Sequence, residues 1–217
     1  MQHLFKRGIS LEKPKLKHLK GTTTVGLACR DGVVFATDSR ATMGYLVASK
    51  QARKVFKITD TIGATTAGGV ADTQSLVNTL RAEAGYYLMR EGTPMGVRAG
   101  ARLVANILHA YGLFPYIANL LVGGTDASGP KLFFIDLDGA LTEETMIATG
   151  SGSPVAYGVL ETEFRESMSI EEASPIAIKA VRTAMKRDIA TGNEIMVAAI
   201  TKRGYRELSP EEIKKLA

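Results

Sequence analysis

Gly21-Thr22-Thr23-Thr24-Val25-Gly26-Leu27-Ala28-Cys29-Arg30-Asp31-Gly32-Val33-Val34-Phe35-Ala36-Thr37-Asp38-Ser39-Arg40 reads as two strands joined by a tight turn. Thr22–Cys29 and Val33–Ser39 carry the β-branched and apolar residues of strands, and Asp31-Gly32 suits a two-residue type I′ turn. A turn at that dipeptide sets the register. Arg30 then faces Val33, Val25 faces Asp38, Thr23 faces Arg40 and Thr22 faces Ala41. The hairpin therefore carries Asp38 and Arg40 to the neighbourhood of Thr22.

The same stretch holds a Gly21–Thr22 bond just ahead of the first strand. Cutting that bond makes Thr22 a new N-terminus, with a hydroxyl nucleophile and a free α-amine on one residue. The amine has an ordinary pKa near 7.7–8.0, so much of it is neutral at cellular pH and can take the hydroxyl proton.

The charge pattern divides the chain at the same place. Residues 1–21 hold Lys6, Arg7, Lys13, Lys15, Lys17 and Lys20 against Glu12 alone, a balance of 6 − 1 = +5. The rest of the chain has 27 − 6 = 21 basic and 22 − 1 = 21 acidic residues. The sequence pI near 9.3 thus belongs to the leader, and the body lacks the basic excess of a nucleic-acid enzyme. The leader has no continuous apolar segment, so it is no secretory signal. Three readings stand for residues 1–21: a basic tail, an organelle transit peptide, which a Lys-rich segment with one serine does not suit, and a propeptide that masks Thr22. The rest of the chain favours the propeptide, and one domain follows over 22–217.

A hydrophobic share of 45% in 217 residues supplies a core for that domain. No apolar run reaches the length of about 18 residues that suggests a membrane span. A single cysteine, Cys29, excludes an intrachain disulfide and a cysteine-based metal site, and it suits a reducing, cytoplasmic compartment. No other cluster has metal-ligand spacing, so no cofactor is expected. His109 lies in a helical stretch and His3 and His18 in the leader, which leaves no Ser-His-Asp triad.

Beyond the hairpin, period-two segments at Lys54–Thr59 and Ile62–Ala67 form a second one, ending in Gly68-Gly69. Helical spacing follows over Asp72–Arg90 and Pro94–Tyr111. Strands are expected at Asn119–Gly123, Lys131–Asp136 and Thr142–Thr149, then helices at Pro154–Phe164 and Ile170–Ile189. Glu194–Ile200 and Arg206–Leu208 read as strands, and Pro210–Ala217 as a short helix. Hairpins imply antiparallel sheets. The order predicts an α+β fold in which two antiparallel sheets pack face to face, each covered by a helix pair.

Several motifs in register resemble those of proteasome β subunits, the archaeal type above all. They are Thr22-Thr23-Thr24-Val25-Gly26, Ala36-Thr37-Asp38-Ser39-Arg40, Arg53-Lys54-Val55-Phe56, Ala67-Gly68, Thr149-Gly150-Ser151-Gly152-Ser153-Pro154, Tyr157-Gly158-Val159-Leu160-Glu161 and Arg187-Asp188. They span Thr22 to Leu208. The resemblance implies the four-layer αββα fold of N-terminal-nucleophile hydrolases, in agreement with the element order. It also implies a threonine endopeptidase that frees itself by cleaving Gly21–Thr22.

Residue roles follow from the resemblance. Thr22 is the expected nucleophile, Lys54 its electrostatic partner, and Asp38 the carboxylate that holds Lys54. Arg40 supports the site. The Gly68 N–H is the candidate oxyanion donor. Ser151, Asp188 and Thr191 match positions that orient the terminal amine and a water; serine is usual where Thr191 stands. A specificity pocket is expected from Ala41, Ala52, Phe56, Thr66, Val70 and Gln74. It has room for a large apolar side chain and no acidic residue to hold a basic one. Thr66 adds a polar group, leaving the preference open.

The implied partners are other β subunits in heptameric rings, rings of a separate α subunit, a regulatory ATPase acting through the α ring, and unfolded polypeptides. No nucleic acid or membrane is expected. Two other classes share this frame: a structural, non-cleaving β subunit and a small-molecule amidase of the same fold. The retained set Thr22, Asp38, Lys54, Ser151 and Asp188 argues against the first, and cleavage of unfolded protein discriminates the second.

Overall fold

A computed structural model describes residues 21–111 and 115–216. Of the expected leader only Gly21 falls within them, and Ala217 at the end of the expected last helix also lies outside. In chain order the elements are β1 (Thr24–Cys29), β2 (Gly32–Asp38), β3 (Ala41–Met43), β4 (Leu46–Ser49), β5 (Val55–Lys57), β6 (Ile62–Gly68), α1 (Val70–Glu91), α2 (Val97–Ala110), β7 (Ala118–Asp126), β8 (Gly129–Ile135), β9 (Leu141–Glu143), β10 (Met146–Thr149), α3 (Ser153–Glu163), α4 (Ile170–Met185), β11 (Ile195–Thr201), β12 (Gly204–Glu207) and α5 (Pro210–Leu216).

Two five-stranded antiparallel sheets result, ordered β10-β1-β2-β11-β12 and β5-β6-β7-β8-β9, beside a two-stranded β3–β4 ribbon. Period-two alternation divides the apolar residues of the first sheet between two cores. Val25, Leu27 and Cys29 of β1 and Val34 and Ala36 of β2 face α3 and α4, meeting Leu160, Ala177 and Val181. Val33 and Phe35 of β2 face the second sheet and meet Val55, Leu121 and Leu132. The far side of that second sheet buries Ile62, Leu120 and Phe133 against Leu76, Leu80 and Val104 of α1 and α2. The layers are therefore helix pair, sheet, sheet, helix pair, as the element order predicts. Ser169 caps α4 through a reciprocal box with Glu172, which starts the helix at Ile170.

Three local expectations are corrected. The β1–β2 register is shifted: Cys29 faces Gly32, Val25 faces Ala36, and the Asp38 N–H donates to the Thr23 carbonyl at 3.2 Å. A type I′ turn needs positive φ at both central residues, and neither Asp31 nor Gly32 has it. Gly32 is demanded by close approach instead. A Cβ there would lie 2.1 Å from the Ile200 carbonyl oxygen of β11. The shift brings Asp38 beside Thr23, nearer Thr22 than expected.

The segment Thr142–Thr149 is two strands in opposite sheets. The Glu144 N–H bonds the Leu132 carbonyl of β8, and the Thr145 carbonyl accepts the Ala28 N–H of β1, so the chain changes sheets between these residues. The helix expected to reach Ile189 ends at Met185, and its last carbonyls receive the N–H groups of Lys186 through Asp188.

Candidate active site

The site lies where β1 begins, β2 ends and two connections converge. Thr22 is 5% exposed. Its hydroxyl donates to the Gly21 carbonyl oxygen at 2.7 Å and its N–H to Ser151 Oγ at 3.3 Å. Its own carbonyl accepts the Gly152 N–H at 3.4 Å. Thr22 is thus held by the turn that enters α3.

Asp38, at the end of β2, is fully buried and accepts four N–H donors. Oδ1 takes Lys54 Nζ at 2.7 Å and the Thr23 N–H at 3.0 Å; Oδ2 takes the N–H groups of Gly192 at 2.9 Å and Arg40 at 3.0 Å. A buried carboxylate with its lone pairs filled is a fixed anchor. Lys54 is 5% exposed, and burial holds its pKa below the usual ammonium value of 10.5, against the opposing attraction of Asp38.

A second group surrounds Asp188, in the connection after α4. Its Oδ2 accepts hydroxyl protons from Ser151 and Thr191, each at 2.5 Å. Thr191 Oγ1, having donated, accepts from Thr23 Oγ1 at 2.8 Å. Ser151 Oγ, likewise committed as a donor to Asp188, presents a lone pair to the Thr22 nitrogen. The Arg40 guanidinium clasps this connection, donating from Nε to Asn193 Oδ1 at 2.9 Å and from Nη1 to the Ile189 carbonyl at 2.7 Å. Asn193 stands in the left-handed region with φ 73°, which Asn tolerates better than most residues.

A cavity of about 510 Å³ opens beside Thr22. Thr22, Lys54 and Gly68 line it, and so do all of Ala41, Ala52, Phe56, Thr66, Val70 and Gln74. Gly68 ends β6 with φ 139°, a conformation that side chains rarely adopt. The structure therefore brings every residue singled out from the sequence into one hydrogen-bonded network or its adjoining cavity. Sequence reasoning missed the β3–β4 ribbon, whose Thr42, Met43 and Ser49 complete the cavity wall. Gly44 makes the turn between those strands with φ 61°, in the left-handed region that glycine favours.

Two residues set aside from the sequence lie elsewhere. His109 sits in α2 with Nδ1 3.3 Å from the Asp138 carbonyl oxygen. Cys29 is buried among the α3–α4 core residues, and burial pushes its thiol pKa up to about 12.

Residues 18–200 match the family described as proteasome subunit. Among curated proteins the chain is similar to proteins named proteasome subunit beta. It is 50% identical to that of Methanothermobacter thermautotrophicus over 198 residues, 91% of this chain and 94% of the relative. It is 50% identical to that of Ferroglobus placidus over 201 residues, covering 92% and 96%. It is 52% identical to that of Methanocaldococcus vulcanius over 200 residues, covering 91% and 90%.

Proposed function

This chain belongs to the proteasome subunit family, and from that premise we propose that it is the proteolytic β subunit of the core particle, with Thr22 as its nucleophile. The observation that carries the reading is the buried Lys54–Asp38 pair, whose lysine lines the same cavity as Thr22. A lysine costs free energy to bury, and a cation beside a hydroxyl favours the oxygen's developing negative charge.

Self-activation comes first. Thr22 Oγ adds to the Gly21 carbonyl carbon and the bond from that carbon to the Thr22 nitrogen breaks. The hydroxyl proton ends on the departing nitrogen, which leaves an ester and a free amine. Water hydrolyses the ester, giving a carboxyl group on Gly21 and restoring the hydroxyl. The released amine then serves as base for Thr22 Oγ, with Ser151, itself fixed by Asp188, accepting a hydrogen bond from it.

In substrate cleavage Thr22 Oγ attacks a peptide carbonyl carbon, and the Gly68 N–H receives the developing oxyanion. The amine fragment leaves with the transferred proton, and water releases the acyl fragment. The same reading places residues 1–21 as a propeptide that keeps the amine locked in an amide. It also places the chain in heptameric β rings stacked on α rings in the cytoplasm, with unfolded polypeptides as substrates. Among the described residues no helix is long and apolar enough to cross a membrane.

Intact-mass measurement of the assembled particle tests this. The wild-type chain should begin at Thr22, having shed a net charge of +5 with residues 1–21. Thr22→Ala should keep them and lose peptide hydrolysis. A wild-type particle that digests unfolded protein while still bearing its leader overturns the reading.

A further inference from the structure

The residue ahead of the cleaved bond meets a wall. An ideal Cβ on Gly21 would lie 1.6 Å from Ala190 Cβ, 2.7 Å from its Cα and 3.0 Å from its carbonyl carbon. Side-chain carbons do not approach one another so closely, and two of the three atoms belong to backbone, which cannot rotate away. Gly21 is also pinned from other sides. Its N–H donates to Thr42 Oγ1 at 3.2 Å, and its carbonyl oxygen takes the Thr22 hydroxyl.

The wall is itself braced. The Ala190 N–H donates to Asp188 Oδ1 at 3.2 Å, the neighbouring Ile189 carbonyl accepts Arg40 Nη1, and the Gly192 N–H is held by Asp38. Ala190 is 7% exposed, so it has little open space to retreat into.

We infer that Ala190 is the specificity-determining residue of the self-cleavage step, admitting glycine alone at position 21. The inference rests on the proposed self-activation at Gly21–Thr22. It separates two selections made by one nucleophile. A substrate residue is chosen by how its side chain fills the cavity lined by Phe56, Thr66 and Gln74. The leader is chosen by exclusion, because any side chain at position 21 pushes its carbonyl carbon away from Thr22 Oγ.

The test follows leader loss over time by intact mass in full-length chains assembled into their complex. Gly21→Ala should lose its leader about a hundredfold more slowly than wild type, the scale of a small misplacement of reacting atoms. Adding Ala190→Gly should recover about tenfold of that loss, partial because the Cα at 2.7 Å remains. Ala190→Gly alone, with Gly21 kept, should process like wild type. Gly21→Ala lost at the wild-type rate, a double variant no faster than Gly21→Ala, or a stall in Ala190→Gly alone each overturns the inference. A wild-type chain that never loses its leader instead sinks the self-activation on which it rests.

Discussion

At the scale of single residues, Asp38 decides the most. It joins Lys54, the Thr23 backbone and the connection at Gly192 on two oxygens. Asp38→Ala leaves a buried ammonium without its counter-charge, and denaturant unfolding should show a loss of about 3–5 kcal/mol. The sign of its pH dependence follows from linkage. The folded-state pKa of Lys54 lies below its unfolded value of 10.5, because burial disfavours the charge. Between those values the unfolded chain binds more protons, so this group's contribution to stability rises with pH and is lost as pH falls. Removing Asp38 removes the attraction that opposes burial and widens that window downward. The deficit of the variant should therefore shrink as pH is raised toward 10.5. A deficit that is constant across the range would mean that Lys54 is not the group left exposed to the loss.

At the scale of elements, the β1–β2 hairpin shows what local sequence carries and what it does not. Asp31-Gly32 correctly marks a reversal between two strands, and the apolar alternation assigns their faces. The register depends on a partner outside the hairpin, since Gly32 is small to let β11 pass rather than to adopt a turn. Gly32→Ala should destabilise the domain by about 1–3 kcal/mol through overpacking against the Ile200 carbonyl, measured by a shift in unfolding midpoint. An unchanged midpoint would show that β11 can yield.

The same division explains the other boundaries. Helices α2 and α4 were legible because an amphipathic stripe is written into one segment, and α1 through Leu76, Leu80 and Ala84 at helical spacing. The sheet change at Glu144–Thr145 was not, because both halves look like strand and only their partners differ. The β3–β4 ribbon was not legible either. Its strands are three and four residues long, mostly outside the core, with Met43 70% and Leu46 63% exposed. Burial pattern therefore had little to report there. The cavity residues were legible through resemblance, while the ribbon's share of the wall had no comparable signal.

At the scale of the whole molecule, four layers converge on one end where Thr22 sits, and the charges balance only after residues 1–21 are set aside. The body's two helix–sheet cores and the core between the sheets must all form to bring the β1 start, the β2 end and the α4 exit together. Cys29 offers a reporter of that integrity. It is the chain's one thiol, closed in the α3–α4 layer and kept protonated by burial. The thiolate is the form that reacts with a maleimide. Such a reagent should pass over the native protein and modify it stoichiometrically once denaturant opens that layer, as read by mass. An electrophilic inhibitor that attaches to the folded particle has then reacted at an oxygen or nitrogen nucleophile, not at the thiol, and its occupancy can be counted without a competing cysteine adduct.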